Sequence, residues 1–135
     1  MTYALSWHVE GQSVRITVNN SISIEEFDAL GKELLRDYLD ASPTPLHVVA
    51  DARQMFHFPI TLHKIKQLSE PWLKHRRLNW FILVGDSNMM VTFIVTTMAQ
   101  ILGVHYCIVS SLEEADQSIH KIDLGLMDAP SARLS

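Results

Sequence analysis

The sequence holds 135 residues, 47% hydrophobic and 19% charged, which suffices for one domain with a single core and is too apolar for a disordered chain. A net charge of −4 supplies no global field for nucleic acid or an anionic membrane, so no nucleic-acid partner is expected. The lone cysteine, Cys107, excludes an intramolecular disulfide and fits a reducing, cytoplasmic setting.

Met1–Glu10 alternates instead of forming a basic stretch followed by an apolar one, so no secretory leader is expected there. Leu5, Trp7 and Val9 alternate with Ser6, His8 and Glu10. After Gly11-Gln12, Val14, Ile16 and Val18 alternate with Arg15, Thr17 and Asn19. Period two on both sides of a short glycine turn predicts an antiparallel hairpin with one face on the core.

Ser23 precedes Glu26 by three, a capping box, with Ile22 and Phe27 placed as a hydrophobic staple. Ile24, Phe27, Leu30, Leu34, Leu35, Tyr38 and Leu39 follow helical spacing, and Glu25, Glu26 and Asp28 suit the positive end of the helix dipole. Gly31 is unfavourable inside a helix, and close packing against the sheet is the expected reason. The run from Ala41 to Pro45 ends this helix.

Leu46–Asp51 predicts a short strand, followed by a loop over Ala52–Pro59. A second helix starts near Thr61, turns Leu62, Ile65 and Leu68 inward, and is broken or restarted at Pro71 before Trp72 and Leu73. Leu78–Val84 is an apolar run of buried-strand type, closed by Gly85-Asp86. Asn88 caps a third helix that Gly103 ends in a left-handed conformation. Val104–Val109 predicts the last strand, and Ser111 with Glu114 forms a second capping box for the last helix. Cys107 lies inside that strand and reads as a buried, inert thiol.

The order is ββαβαβαβα. It predicts an α/β fold: a single domain over residues 1–122, with a mixed, mostly parallel sheet of about five strands, an N-terminal antiparallel hairpin and about four helices. Residues 123–135 read as a frayed tail. Ser87–Leu112 lacks Asp, Glu, Lys and Arg, yet its polar residues and Gly103 fit a helix followed by a strand, so no membrane span is expected.

This order, and the run V-V-A-D-A-R-Q-M-F-H-F-P-I-T-L in particular, resembles the STAS domain superfamily, more narrowly the bacterial single-domain proteins called SpoIIAA-like or STAS/SEC14-like. F-I-L-V-G, I-L-G-V and S-S-L-E-E-A are similar to the last two strands and final helix of that family, and the resemblance spans roughly residues 3–122. It implies a central strand ending at an acidic residue, here Asp51, then a loop and a helix whose start carries the functional group. Anti-sigma antagonists of the family carry a phosphorylated hydroxyl there, after Asp-Ser or Asp-Thr. Here Ala52 and Arg53 follow Asp51, and the hydroxyl near the helix start is Thr61, a candidate for phosphorylation or an ordinary N-cap.

Asp51, Arg53, His57 and His63 cluster near the carboxyl end of a strand, an edge that ligands favour in open α/β sheets. Arg53 could clamp an anion and His57 transfer a proton; alternatively Asp51 and Arg53 pair with each other or cap the loop, while Phe56 and Phe58 seal the core. No spacing of the 7 histidines matches a metal site, and no phosphate loop or nucleophile elbow is present, so neither metal nor cofactor is expected. Between His63 and Arg77 five cations (Lys64, Lys66, Lys74, Arg76 and Arg77) face one acid, Glu70, a local charge of +4 that could dock an acidic protein or an anionic lipid headgroup, or else form a solvated helix face.

The third helix is the most unusual element. Val91, Ile94, Val95, Met98 and Leu102 form a stripe for the sheet, which leaves Met89, Met90, Phe93 and Ile101 off it with no charge on the helix. A helix that is apolar all round is buried on both sides, by a second subunit, by an apolar ligand, or by Leu124, Leu126 and Met127 of the tail.

These features predict a non-enzymatic, cytoplasmic STAS-like interaction or signalling module and a homodimer. Its partner surface would be Asp51, Arg53, Phe56, His57, Thr61, Lys64 and Lys66. Met89, Met90, Phe93 and Ile101 would form the dimer face or an apolar-ligand face. The competing expectation is a carrier of a small apolar ligand or lipid, of SEC14-like type.

Overall fold

The alternating residues at the start of the chain pair as their period predicts. In the computed structural model, β1 (Tyr3–Val9) runs antiparallel to β2 (Ser13–Ser21), with Leu5 opposite Ile16 and Trp7 opposite Val14. The structure describes residues 3–57, 61–85 and 88–126, the side chains of Phe56 and His57 excepted. Phe58, Pro59, Asp86 and Met127 therefore lie outside the described residues. Gly11, at φ +76°, makes the turn, and Gln12 N–H donates to the Val9 carbonyl.

α1 (Ile24–Leu34) opens on the predicted capping box: Glu26 N–H donates to Ser23 Oγ at 3.1 Å, and Ser23 N–H donates to Glu26 Oε1 at 3.0 Å. The helix then widens into a π turn over Leu35–Leu39, closed by Asp40 N–H on the Leu35 carbonyl. Leu34 and Leu39 are fully buried on either side of the change.

β3 (Leu46–His57) is longer than predicted. The stretch read as a loop, Ala52 onward, continues the strand against the end of β2, with Gln54 opposite Asn19, Met55 opposite Asn20 and His57 opposite Ser21. Two register shifts interrupt this pairing, and Asn20 takes a left-handed φ of 61°. Ala52 and Met55 point inward while Arg53 and Gln54 both point outward, so the bulged strand shows no alternation.

α2 (Leu62–Leu73) runs through Pro71 without a break. The proline gives up a single N–H bond, the one residue 71 would make to the Gln67 carbonyl, and Lys74 N–H beyond it still reaches the Glu70 carbonyl. Ile65, Ser69, Trp72 and Leu73 are buried; Leu62, expected inside, is exposed. β4 (Leu78–Val84), α3 (Met89–Leu102), β5 (His105–Val109) and α4 (Leu112–Asp123) complete the chain. Asn88 Oδ1 accepts from Met90 N–H and Val91 N–H, and Gly103 ends α3 at φ +69°, as predicted. At α4 the box is only half formed. Ser111 Oγ accepts from Glu114 N–H, but the Glu114 carboxylate reaches Ser110 instead of Ser111. Those two Ser110 bonds, backbone first, hold the Glu114 carboxyl below its ordinary range.

The sheet is mixed, in the order β1-β2-β3-β4-β5, antiparallel only between β1 and β2. Strand order thus equals chain order. Right-handed crossovers that always step in one direction place their helices on one face. Accordingly α1, α2 and α3 share one core with Val14, Ile16, Val48, Phe81 and Leu83, while α4 covers Val49, Trp80, Ile82 and Val84 on the other face. Two histidines reach α4 from the sheet: His8 Nε2 lies 2.6 Å from Asp116 Oδ1, and His47 Nε2 lies 2.9 Å from Asp123 Oδ1. Among the described residues no helix is long and apolar enough to cross a membrane.

Candidate functional site

Asp51 is the last residue of β3 with a partner on each side, Thr17 on β2 and Val84 on β4. Its side chain is about nine-tenths buried, and its hydrogen bonds come from two residues further on. Asp51 Oδ1 accepts from Arg53 N–H at 3.2 Å and from Arg53 Nε at 2.9 Å, and Oδ2 accepts from Nη2 at 2.9 Å. This fork-on-fork contact is the main cause that holds the Asp51 carboxyl below its ordinary range, against burial, which acts the other way. The expected pairing of Asp51 with Arg53 is observed, while the Phe56 side chain and Phe58, expected to seal the core beneath, lie outside the described residues. Gly85, at φ +117°, lets the chain after β4 pass the Ala52–Arg53 backbone, where a Cβ would sit 3.2 Å from Arg53 N.

The other predicted site residues whose side chains are described do not converge on that pair. The main chain of His57 is paired with Ser21, and its side chain, like that of Phe56, is outside the described residues. Thr61 is the exposed N-cap of α2; its carbonyl accepts from Ile65 N–H, and its hydroxyl makes no capping bond. His63 and Lys64 are exposed in the first turn, and Lys66 Nζ pairs along the helix with Glu70 at 3.2 Å. Arg77 Nη1 donates to the Pro43 carbonyl. Only Lys64 and Lys66 of the basic stretch are on α2; Lys74, Arg76 and Arg77 follow its end, so the five cations do not form one helix face.

A feature without a local sequence signal lies beneath this edge. Between the sheet and the three helices that cover it is a cavity of about 90 Å³. Ile16, Ala50 and Leu83 form its floor, and Leu30, Trp72 and Met98 lie over them. Asp51 touches its rim. Ser69 Oγ and Trp72 Nε1 are buried among the lining residues, and neither has a hydrogen-bond partner among the described residues. The indole N–H edge is turned onto Gly31 of α1.

α3 divides as its spacing predicts. Val91, Ile94, Met98 and Ala99 are buried, whereas Met89 (83%), Phe93 (59%), Ile101 (57%) and Met90 (47%) are exposed. Met90, Phe93, Thr97 and Ile101 follow at three- and four-residue steps, a second, mostly apolar stripe about a third of a turn round the helix from the first. The described part of the tail does not cover it, because Leu124 and Leu126 are themselves exposed. Beside α3 runs β5, whose outer edge pairs with no strand among the described residues. Its sequence, His-Tyr-Cys-Ile-Val, holds no lysine, acid or proline.

Among the described residues no three His, Cys, Asp or Glu side chains stand close enough to hold a metal ion. Compared with known proteins, the chain matches no family model and no curated protein sequence.

Proposed function

We propose that the protein is a non-enzymatic, cytoplasmic interaction module of the STAS type, which pairs with a second copy through α3 and the adjoining edge of β5. The observation that carries this reading is the exposed apolar stripe of α3, on a helix without a single charge. An apolar patch of this kind marks an interaction surface. The β5 edge supports the same partner, since edge strands that stay single are normally blunted by lysine, proline or a bulge. A two-fold axis normal to the sheet would set two β5 edges antiparallel and bring both α3 stripes together on one face. The mutual satisfaction of Asp51 and Arg53 supports a binding role over a catalytic one. Exposed Thr61 and Lys64 leave the start of α2 as the surface for a further protein.

Sedimentation of the untagged protein at micromolar concentration tests the reading. A dimer is expected, and Phe93→Glu or Ile101→Glu should convert it to a monomer with an unchanged circular dichroism spectrum. A wild-type monomer, or a dimer indifferent to both substitutions, defeats it.

A further inference from the structure

Protein interiors are packed about as densely as organic crystals, with few voids larger than a water molecule. The cavity under α1, α2 and α3, about 90 Å³, is several times the ~10–15 Å³ that one water needs on the same measure. Water is a poor occupant. It needs two to four polar partners, and Asp51 at the rim is already engaged by Arg53. Ser69 Oγ and Trp72 Nε1 are the lining polar side-chain atoms without a partner among the described residues, and the indole N–H edge is turned onto Gly31. The remaining surface is aliphatic and aromatic carbon, from side chains such as Ile16, Leu30 and Ile94.

Two of the wall residues, Met55 and Met98, are unbranched thioethers that repack around a guest more readily than β-branched side chains do. Size limits the guest. An engineered protein cavity of ~150 Å³ admits one benzene molecule. This cavity, at about 90 Å³, is smaller, so a single ring enters only as Met55 and Met98 repack, and a two-chain lipid does not fit. From these observations we propose that the cavity is a binding site for a small, uncharged apolar molecule, no larger than a single ring or a short alkyl chain. The site is distinct from the dimer surface: Val91, Ile94 and Met98 face the cavity, while Phe93 and Ile101 are on the exposed stripe of the same helix.

Benzene is the probe. Titrated into the full-length protein labelled at its methyl groups, it should cause saturable NMR shifts at Leu30, Val91, Ile94 and Met98. Ala99→Leu, which fills the cavity from α3, should weaken binding at least tenfold. Ala50→Val, a smaller insertion from the floor, serves where the leucine disturbs folding. Phe93→Glu should leave benzene affinity unchanged, which separates this site from the interaction surface. The absence of a saturable shift in the wild-type protein overturns the proposal. So do shifts centred on Met89 and Phe93, or equal affinity in a folded cavity-filled variant.

Discussion

Gly31 of α1 and Trp72 of α2 approach more closely than any other residue at position 31 would permit. A Cβ on Gly31 would lie 2.8 Å from Trp72 Nε1 and 3.0 Å from Cδ1. The glycine inside the first helix is thus explained by a neighbouring helix and not by the sheet. Trp72 in turn stands between Phe27 and Phe81, with ring centroids 6.3 Å and 6.1 Å away, so the indole has little room to retreat.

Alanine at position 31 gains about 1 kcal/mol of helix propensity and loses about 1–3 kcal/mol to overpacking. Gly31→Ala should therefore be net destabilising in urea denaturation. In a Trp72→Phe background, where the five-membered ring is gone, the penalty should fall or change sign. An equal penalty in both backgrounds would show that the contact is not its source.

Asp51 gives the stability a defined acid dependence. Its carboxyl is held below the unfolded value of about 3.9, chiefly by the Arg53 side chain. The stabilisation is therefore present above that value and is lost as pH falls through the lower, native one. Arg53→Gln should cost about 1 kcal/mol near neutrality, a figure discounted for the solvent around the half-exposed guanidinium. The difference between variant and wild type should vanish in strong acid. Chemical denaturation at a series of pH values checks this; a difference that persists in strong acid would assign the cost to packing.

Cys107 is fully buried, and burial pushes its thiol up to about 11, with a hydrogen bond to Ser118 acting weakly the other way. A thiol-specific disulfide reagent at pH 8 should label the native protein only as fast as it opens, and the urea-unfolded chain at once. Labelling of the native protein at the rate of a free thiol would contradict the burial.

Much of the frame was legible because its signals are local. Ser23 with Glu26, and Asn88 with Gly103, mark helix ends within a few residues of the atoms that they bond. The apolar runs of β4 and β5 needed no partner to be recognised. The second half of β3 was not legible, since it pairs with β2 alone past Asp51 and its bulge erases the alternation. Nor was the cavity, which is the volume left between six separate elements, β2, α1, β3, α2, β4 and α3. The histidine contacts on α4 join residues 108 and 76 positions apart, and no spacing rule reaches that far. At the candidate site, residues two apart in sequence, Asp51 and Arg53, meet as one of the two readings held. The uncharged α3 stripe was visible for the same reason, being a helix property.

The unreversed strand order has a consequence for how this molecule is made. Each strand docks on the one completed just before it, so a chain emerging from its N-terminus always finds its template already in place. Closure distances stay short for a mostly parallel sheet, which lowers the contact order and favours rapid folding. Among the described residues growth stops at β5, whose outer edge stays open to a strand from another chain.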